Sequence, residues 1–402
     1  MRKLTNDPVI LSALRTPIGK YGGALSGVRP DDMLASLMRE ALTRTGIDDQ
    51  AINEVVIGCA NQAGEDNRNI ARMASLLAGF SETIPAITLN RLCASGLDAI
   101  IDGARRIVVG EAELVLTGGV ESMTRAPYVM AKAGLPYKLG APEVFDSSLG
   151  WRFYNEKMRE RTEPEHNGVT AERLSERYGI SRERQDQFAL RSHERAILSQ
   201  NNGFFAREII PVSISDRNET RLVTGDEGPR VDTTLHKLAS LKSAFIQHGT
   251  VTAGNSSSLN DGASVVFVAS HDFARASGLT PLARIVAFAA SGVDPHVMGI
   301  GPVPATKKLL EQCGLSIGDF GVVEINEAFA AQVLSVIDLL KINEDIVNPR
   351  GGAIALGHPL GCSGARIVTT MLNHMVETKY ALGLASLCVG VGQGVSMAVE
   401  GL

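Results

Sequence analysis

The sequence predicts an α/β protein made of two similar halves, with a charged segment inserted into the first half. Three observations favour this class. Runs typical of strands and helices alternate over residues 1–120, residues 121–250 are much more highly charged, and residues 272–402 repeat the first scheme. Residues 250–271 return to a buried-strand composition and are expected to complete the first half. Repeated βα units of this kind predict a mostly parallel sheet sandwiched by helices.

The first half alternates strand-like and helix-like runs. The strand-like runs are PVILSALRTP, EVVIGCA, AITLN and ELVLTGG. Helical spacing is found in DDMLASLMREALTRTG, which has an Asp start and a Gly stop, and in NRNIARMASLLAGF. A third helix is expected directly after Cys93, because apolar residues recur there at helical spacing, at Leu97, Ile100, Ile101, Ala104, Ile107 and Val108.

The second half has the same order of elements. LARIVAFAASG predicts a strand, PVPATKKLLEQCG a helix, and GVVEINEAFAAQVLSVIDLL a strand followed by a helix. GGAIALGHPLGCSGARIVTTMLNHMVE leads into a helix whose apolar stripe is Val368, Met371, Leu372, Met375 and Val376. GLASLCVGVGQGVSMAVE predicts two strands around a glycine turn. In the first half CASGLDAI is followed by a strand, and in the second half GCSGARIV is followed by a strand. This similar order indicates duplicated domains.

Composition excludes several classes of protein. The 402 residues carry a formal net charge of -5, which argues against general nucleic-acid binding. No apolar run is long enough to cross a membrane, and no signal peptide is expected. Five scattered cysteines without a CxxC pair argue against a disulfide scaffold or a metal site. A reduced compartment fits best, and the cytoplasm is expected because no SKL ends the chain.

Cys93 in LNRLCASGLDAI is the first candidate for chemistry. It precedes a helix, where free backbone N–H groups and the helix dipole favour an anion, so we expect the pKa of this thiol to be lowered. The small residues Ser95 and Gly96 leave the sulfur approachable. The structural alternative is a buried cysteine at a helix start, and the motif alone leaves both interpretations open.

His358 in GHPLG is held by glycine and proline on a turn, and it is a candidate to take the thiol proton. A lone loop histidine is more often structural, but the glycines around it indicate space for a ligand. Cys362 follows four residues later. It is a rival nucleophile, or one half of a metal pair that lacks further ligands.

Cys388 ends a strand and runs into a glycine-rich turn. A second cysteine there suits proton transfer, with the Gly390 N–H free to point at an oxyanion. Asn326 in EINEAF lies where a strand passes into a helix, and its structural interpretation is a helix N-cap with Glu327 in the first turn. Cys59 and Cys313 are expected to be packing residues.

Together these motifs resemble the thiolase family. NRLCASG, GGVESM, GTVTAGNSSSLNDGA, NEAFAAQ, GGAIALGHPLGCSGAR and CVGVGQG match its signatures in order, over essentially the whole chain. The resemblance implies an acetyl-CoA C-acyltransferase with a five-layer αβαβα fold, in which two duplicated domains carry an inserted loop domain at 121–250.

The resemblance also implies roles. Cys93 would carry the acyl group and His358 would activate it. Asn326, through a water, and His358 would form one oxyanion hole, and the N–H groups of Cys93 and Gly390 the other. Cys388 would be the acid and base at the acetyl carbon.

Coenzyme A is the implied cosubstrate, with no further cofactor and no metal. It would lie across the loop domain, near Ser257, Arg230, Phe245 and Ala253. The acyl pocket would involve His166, Asn167, Ala328 and Phe329.

Within the family, GCANQAGEDNRNIARMASLLAG, FDSSLGWRF and VMGIGPVPAT look most like the thiolases that cleave 3-oxoadipyl-CoA in aromatic-compound breakdown. Residues 163–170, EPEHNGVT, depart from that branch. A dicarboxyl substrate needs a cation at its far end, and the candidates are Arg152, Arg159 and Arg161.

Three other functions stay open. They are a general short- or medium-chain 3-ketoacyl-CoA thiolase, an acetoacetyl-CoA thiolase and a non-catalytic CoA- or lipid-binding protein. The related ketoacyl synthases are disfavoured by Cys388. A homodimer or homotetramer is expected.

Overall fold

A computed structural model describes residues 7–137, 139–216 and 219–402. Its strands are β1 (Pro8–Arg15), β2 (Gly19–Lys20), β3 (Glu54–Gly58), β4 (Ala86–Leu89), β5 (Leu114–Ser122), β6 (Tyr128–Met130), β7 (Val144–Asp146), β8 (Val212–Asp216), β9 (Glu219–Val223), β10 (Asn260–Ser270), β11 (Ala283–Gly292), β12 (Val322–Ile325), β13 (Leu382–Val389) and β14 (Gln393–Gly401). Its helices are α1 (Pro30–Thr45), α2 (Ile70–Leu77), α3 (Ser95–Val109), α4 (Asn167–Tyr178), α5 (Arg182–Asn201), α6 (Leu235–Ala239), α7 (His271–Ala276), α8 (Pro302–Cys313), α9 (Ala330–Leu340), α10 (Ala353–Leu356) and α11 (Leu360–Thr378). None of the helices in these ranges is long and apolar enough to cross a membrane.

The first half forms a sheet of order β1-β10-β5-β3-β4. β10 pairs antiparallel with β1 and with β5, whereas β3 pairs parallel with β5 and with β4. The expectation of a mostly parallel sheet is therefore wrong. β10 returns from the long insertion in the reverse direction and occupies the middle of the sheet, and the spacing of apolar residues in a buried strand does not reveal its direction.

The second half repeats this topology. β14 pairs antiparallel with β11 and with β13, and β12 pairs parallel with β13. A parallel bridge between Val323 and Val347 takes the place of the outermost strand. The two halves join edge to edge where β1 meets β11. The duplication expected from the sequence is thus present in strand order and in strand direction.

The helices divide the core into layers. α1 and α2 cover the outer face of the first sheet, and α8 and α9 cover the outer face of the second. α3 and α11 lie between the sheets, and their apolar side chains share one core with both. This is the predicted five-layer order. Val376 of the predicted α11 stripe is 43 % exposed, because the last turn of the helix extends beyond the buried layer.

α3 and α11 touch through their backbones. A Cβ on Gly96 would lie 2.6 Å from the Gly361 carbonyl oxygen, and one on Gly364 would lie 2.2 Å from the Leu97 nitrogen. Only glycine allows such an approach. Because both contacts are near the N-terminal ends, the residues that precede the two helices, Cys93 and His358, are brought to the same place.

The inserted segment is tied to the first half by buried charges. Arg15 at the end of β1 donates to Glu208 at 2.6 Å and to Asp226 at 2.7 Å, and all three residues are buried. Paired in this way, the charges avoid the cost that an isolated buried ion would carry. The segment also contributes α4 and α5, which pack against α9. The insertion is therefore fixed over the junction of the two halves.

Candidate active site

Cys93 lies in a tight turn that leads directly into α3. The turn spans Leu92–Ala94, and Leu92 has a left-handed backbone with φ 47°. The Ser95 hydroxyl closes the turn, because it accepts a hydrogen bond from the Arg91 N–H at 2.9 Å and donates one to the Leu92 carbonyl at 2.6 Å. Cys93 is 9 % exposed, so its sulfur faces an almost enclosed space.

The backbone N–H groups of Gly390 and of Cys93 itself act on the Cys93 thiol and lower its pKa. Both favour the thiolate, but burial outweighs them and raises the pKa of Cys93 to about 11. The expected lowering of this pKa is therefore wrong, since the sequence shows the helix start but not the desolvation around it. The resting group is a thiol, with two donors in place for an anion that forms beside it.

His358 occupies the loop between α10 and α11. Its backbone N–H donates to Asn260 Oδ1 at 3.0 Å, and its Nδ1 lies 2.6 Å from Ser363 Oγ. The Ser363 hydroxyl donates its one proton to the Pro359 carbonyl at 2.8 Å, so it accepts a hydrogen bond from the imidazole. His358 therefore carries its proton on Nδ1 and presents the lone pair of Nε2 to the site.

The His358 imidazole is neutral at rest. Burial lowers the pKa of His358 to about 3, and the positive charge of Arg366 on α11 acts in the same direction. A neutral imidazole with a lone pair on Nε2 is the form that takes a proton from a thiol.

Asn326 follows β12 and is fully buried. Its Nδ2 lies 3.3 Å from His358 Nε2, and its Oδ1 has no hydrogen-bond partner among the described residues. The N-cap interpretation is wrong, because α9 begins only at Ala330 and Phe329 stands at its N-cap. A buried amide oxygen without a partner costs about 1–3 kcal/mol. That cost is typical of a side chain held for function and not for folding.

Cys388 lies near the end of β13 and is 1 % exposed. Burial raises the pKa of Cys388 well above its usual range, and the neighbouring Cys93 adds to the rise. Its side chain packs against Met298 and Ala328, with Phe329 beside them. The site thus holds two thiols that influence each other electrostatically, and Cys388 keeps its proton at neutral pH.

Three of the residues expected to contact CoA lie near this cluster. Ser257 donates to the Ala328 carbonyl through its N–H at 3.0 Å and its hydroxyl at 3.1 Å. The Phe245 ring lies 5.9 Å from the Phe329 ring, edge to face. Ala253 is exposed on the loop that precedes Ser257.

Arg230 lies on another loop. It is exposed, and its N–H donates to His193 Nδ1 at 3.2 Å. The loop lies against α10, since a Cβ on Gly228 would come within 2.2 Å of the Ala355 carbonyl oxygen. Within the described part of the chain, no hydrogen bond or ion pair links Arg230 to Ser257, Phe245 or Ala253.

The expected acyl-pocket residues lie at the start of α4 and at the N-cap of α9. His166 caps α4, and its ring is 6.5 Å from that of Phe245. Asn167 approaches the nucleophile's turn, because its Nδ2 is 3.8 Å from where a Cβ on Gly390 would lie. The structure therefore connects the departing 163–170 segment directly with the Cys93 site.

Glu121 is a site residue that sequence reasoning missed. Its carboxylate, at the end of β5, accepts hydrogen bonds from the N–H groups of Ala60 at 2.9 Å, Asn61 at 3.1 Å and Gly361 at 2.8 Å. It fixes the start of α11 against the first half. Burial raises the pKa of Glu121 to about 7. The motif GGVESM contains it, but nothing in that pattern shows its partners.

Ser363 and Asn260 were also missed, although they orient His358. Their positions in the sequence could have pointed to them, because Ser363 follows His358 at the start of a helix and Asn260 lies in the motif SLND. Cys362, the rival nucleophile, is completely buried, and burial raises its pKa to about 12. Cys59 is also buried, and its thiol contacts the Asn61 carbonyl at 3.0 Å. The Cys362 sulfur lies where α11 packs against β10, and its interpretation as a rival nucleophile stays a prediction.

Family models match both halves. The thiolase N-terminal domain matches residues 8–272, and the thiolase C-terminal domain matches residues 279–401. The chain belongs to the thiolase family. It is an acyltransferase with the thiolase fold, as the ordered motifs predicted.

Similar thiolases cover the whole chain. Beta-ketoadipyl-CoA thiolase of Pseudomonas aeruginosa is 51 % identical over 400 residues, covering 99 % of this chain and 100 % of the relative. The 3-oxoadipyl-CoA/3-oxo-5,6-dehydrosuberyl-CoA thiolase of Escherichia coli K12 is 50 % identical, covering 98 % and 99 %. The crystal structure of human mitochondrial 3-ketoacyl-CoA thiolase in complex with CoA matches with a TM-score of 0.91 at 38 % identity, covering 99 % of each chain.

Proposed function

We propose that this thiolase cleaves 3-oxoadipyl-CoA with CoA to give acetyl-CoA and a shortened acyl-CoA that keeps the distal carboxylate. The observation that carries the chemistry is that Cys93, beside the Cys388 thiol, lies on a turn that packs against α11, the helix that begins just after the neutral His358 imidazole. The substrate is inferred from full-length relatives named for it, at about half identity.

In the first half-reaction, His358 Nε2 takes the Cys93 proton as the sulfur attacks the keto carbon. The developing oxyanion receives hydrogen bonds from the N–H groups of Cys93 and Gly390. The bond between the α- and β-carbons then breaks, and its electron pair forms the acetyl-CoA enolate. A water held by Asn326 Oδ1 and the protonated imidazole donate hydrogen bonds to the enolate oxygen, and Cys388 gives its proton to the α-carbon.

In the second half-reaction, free CoA replaces the cysteine. The Cys388 thiolate takes the proton of the CoA thiol, and the CoA sulfur attacks the acyl-Cys93 thioester. Cys93 leaves as a thiolate and recovers its proton from His358. Both thiols and the imidazole thus return to their neutral resting forms. The raised pKa of each thiol matches a cycle in which each is ionised only transiently.

The test compares CoA-dependent cleavage of acetoacetyl-CoA, 3-oxohexanoyl-CoA and 3-oxoadipyl-CoA, with Cys93→Ala as the control. We expect kcat/KM for 3-oxoadipyl-CoA to exceed that for either neutral chain by at least about tenfold, the effect of one charge-assisted contact. Equal or higher values for the neutral chains contradict the substrate and favour a general 3-ketoacyl-CoA thiolase. If the protein binds CoA but cleaves none of the three substrates, the proposed enzymatic activity is contradicted.

A homodimer or homotetramer is part of the same proposal. The β6–β7 hairpin and its loop expose large apolar side chains, among them Tyr128 at 76 %, Tyr137 at 98 % and Leu139 at 95 %. Exposure of this size is typical of a surface that another chain covers.

A further inference from the structure

A cavity of about 820 Å³ lies within the segment from Met130 to His166. Aromatic side chains form much of its wall, including Trp151, Phe153 and Tyr154. Phe145 packs edge to face on Phe153, with ring centres 5.3 Å apart. The size is that of a small-molecule site.

Arg152 lines this cavity and differs from the other arginines that the sequence offered as carboxylate ligands. Arg159 does not line the cavity and is paired with Glu156 and Glu163. Arg161 is exposed and does not line the cavity. Arg152 is half-buried, and within the described part of the chain its one hydrogen bond is from Nη1 to the Ser147 carbonyl, at 3.4 Å.

Three carboxylates line the cavity, those of Glu143, Glu156 and Glu165, and none of them forms an ion pair with Arg152 within the described residues. Glu156 is engaged by Arg159, and Glu165 is engaged by Arg173 on α4. No ion pair of Arg152 exists among the described residues. A half-buried guanidinium with most of its donors unused is ready for a planar anion, which it can bind through two parallel hydrogen bonds.

His166 connects the cavity with the segment that approaches the nucleophile. His166 lies in the cavity wall, and the next residue, Asn167, reaches the Gly390 turn beside Cys93. An acyl chain that leaves Cys93 past Asn167 and His166, at the start of α4, carries its far end toward the cavity. A short dicarboxyl chain carries its second charge at that end.

We propose that Arg152 binds the distal carboxylate of the acyl chain and sets the preference for a dicarboxyl substrate over a neutral one. The inference rests on the proposed function and names the residue that the sequence left open among three arginines. The Ser147 carbonyl holds one guanidinium nitrogen in place, which leaves the remaining donors for the substrate.

The test uses two substrates that have the same number of acyl carbons, 3-oxoadipyl-CoA and 3-oxohexanoyl-CoA. Arg152→Gln keeps a polar side chain but removes the charge. We expect it to lower kcat/KM for 3-oxoadipyl-CoA roughly 10- to 100-fold, the range for a hydrogen bond to a charged group. The value for 3-oxohexanoyl-CoA stays within about twofold. Arg152→Lys retains part of the preference, because it keeps the charge but not the planar fork.

Arg161→Gln is the matched control and should change neither value. Equal losses on both substrates in Arg152→Gln overturn the inference, because they indicate a role in folding or in binding CoA. An unchanged preference in Arg152→Gln also overturns it while the proposed function stands. If the unmodified enzyme shows no preference for 3-oxoadipyl-CoA, both proposals fall together. Activity on 3-oxohexanoyl-CoA reports whether each variant is folded.

Discussion

At the scale of single residues, Cys93 and His358 are uncharged at rest. The groups around them are placed to stabilise charges that form only during turnover. Burial raises the pKa of Cys93 to about 11 and lowers that of His358 to about 3, so both groups are neutral near pH 7. The donors around the sulfur stabilise an oxyanion that appears only as bonds change. Interactions that strengthen in the transition state are those that accelerate a reaction.

Alkylation of Cys93 tests the role of His358. A thiol with a raised pKa reacts only if its proton is removed, and His358 Nε2 is the proposed acceptor. We expect His358→Asn to slow iodoacetamide labelling of the Cys93 peptide by at least about tenfold at pH 7, since general bases contribute factors of this order or more. Peptide mass spectrometry gives the rate, and Cys388→Ser is the control that should change it little. An unchanged rate in His358→Asn contradicts the assignment.

Two buried asparagines provide a matched pair. Asn348 is satisfied, since it accepts from the Ile325 N–H at 2.8 Å and donates to Glu327 Oε1 at 2.8 Å, whereas Asn326 Oδ1 has no partner. We expect Asn326→Ala to lower kcat about 10²-fold or more, because it removes the acceptor that holds the water of the oxyanion hole, with little change in the free energy of unfolding. Asn348→Ala should instead destabilise the protein by about 1–3 kcal/mol. Chemical denaturation and steady-state kinetics separate the two results, and a reversed pattern argues against a catalytic Asn326.

At the scale of elements, the contact between α3 and α11 decides where the catalytic groups meet. Cys93 precedes one helix and His358 precedes the other, so a shift between the helices separates the sulfur from the imidazole. Glu121 reinforces this geometry by binding the Gly361 N–H.

Gly364→Ala tests the helix contact. Its Cβ would meet the Leu97 nitrogen at 2.2 Å, so the helices must move apart. We expect a loss of about 1–3 kcal/mol in stability, typical of overpacking, together with a lower kcat. Gly27→Ala is the control, because an added Cβ there meets no atom within 4 Å among the described residues. Normal activity in Gly364→Ala contradicts the claim that this contact sets the site.

Most elements could be predicted from the sequence, because apolar spacing and Gly or Pro signals mark where helices and strands begin and end. Strand direction could not, since buried parallel and antiparallel strands have similar patterns. The candidate residues at Cys93, His358, Asn326, Cys388 and Gly390 were named from motifs, and the structure brings them together. The shift in the pKa of Cys93 and the partners of Asn326 depend on burial by distant segments, which local patterns do not reveal.

At the scale of the whole molecule, buried histidines make stability depend on pH. Burial lowers the pKa of His193 to about 4 and that of His374 to about 4, as it lowers that of His358. In the unfolded chain these groups titrate near pH 6.5. As the pH falls below that value the unfolded chain binds more protons, so the free energy of unfolding decreases.

His374→Asn isolates one of these contributions. The wild type loses stability from His374 between about pH 6.5 and pH 4, whereas the variant does not. The stability difference between the two proteins should therefore shrink by about 1–2 kcal/mol from pH 7 to pH 5. Urea denaturation at each pH measures it. A stability difference between the wild type and His374→Asn that does not change with pH would falsify the lowered pKa of His374.

The division into 1–120, 121–250 and 272–402, the oligomeric state and the cytoplasmic location stay predictions. The acyl-Cys93 intermediate, in contrast, can be tested directly by one experiment. Mixing the enzyme with 3-oxoadipyl-CoA in the absence of free CoA should trap the shortened acyl group as a thioester, since the second half-reaction lacks its nucleophile. Intact-mass and peptide mass spectrometry should find the added acyl group on Cys93, and added CoA should remove it. An adduct on Cys388 or Cys362, or no adduct while acetyl-CoA is released, contradicts a mechanism through acyl-Cys93.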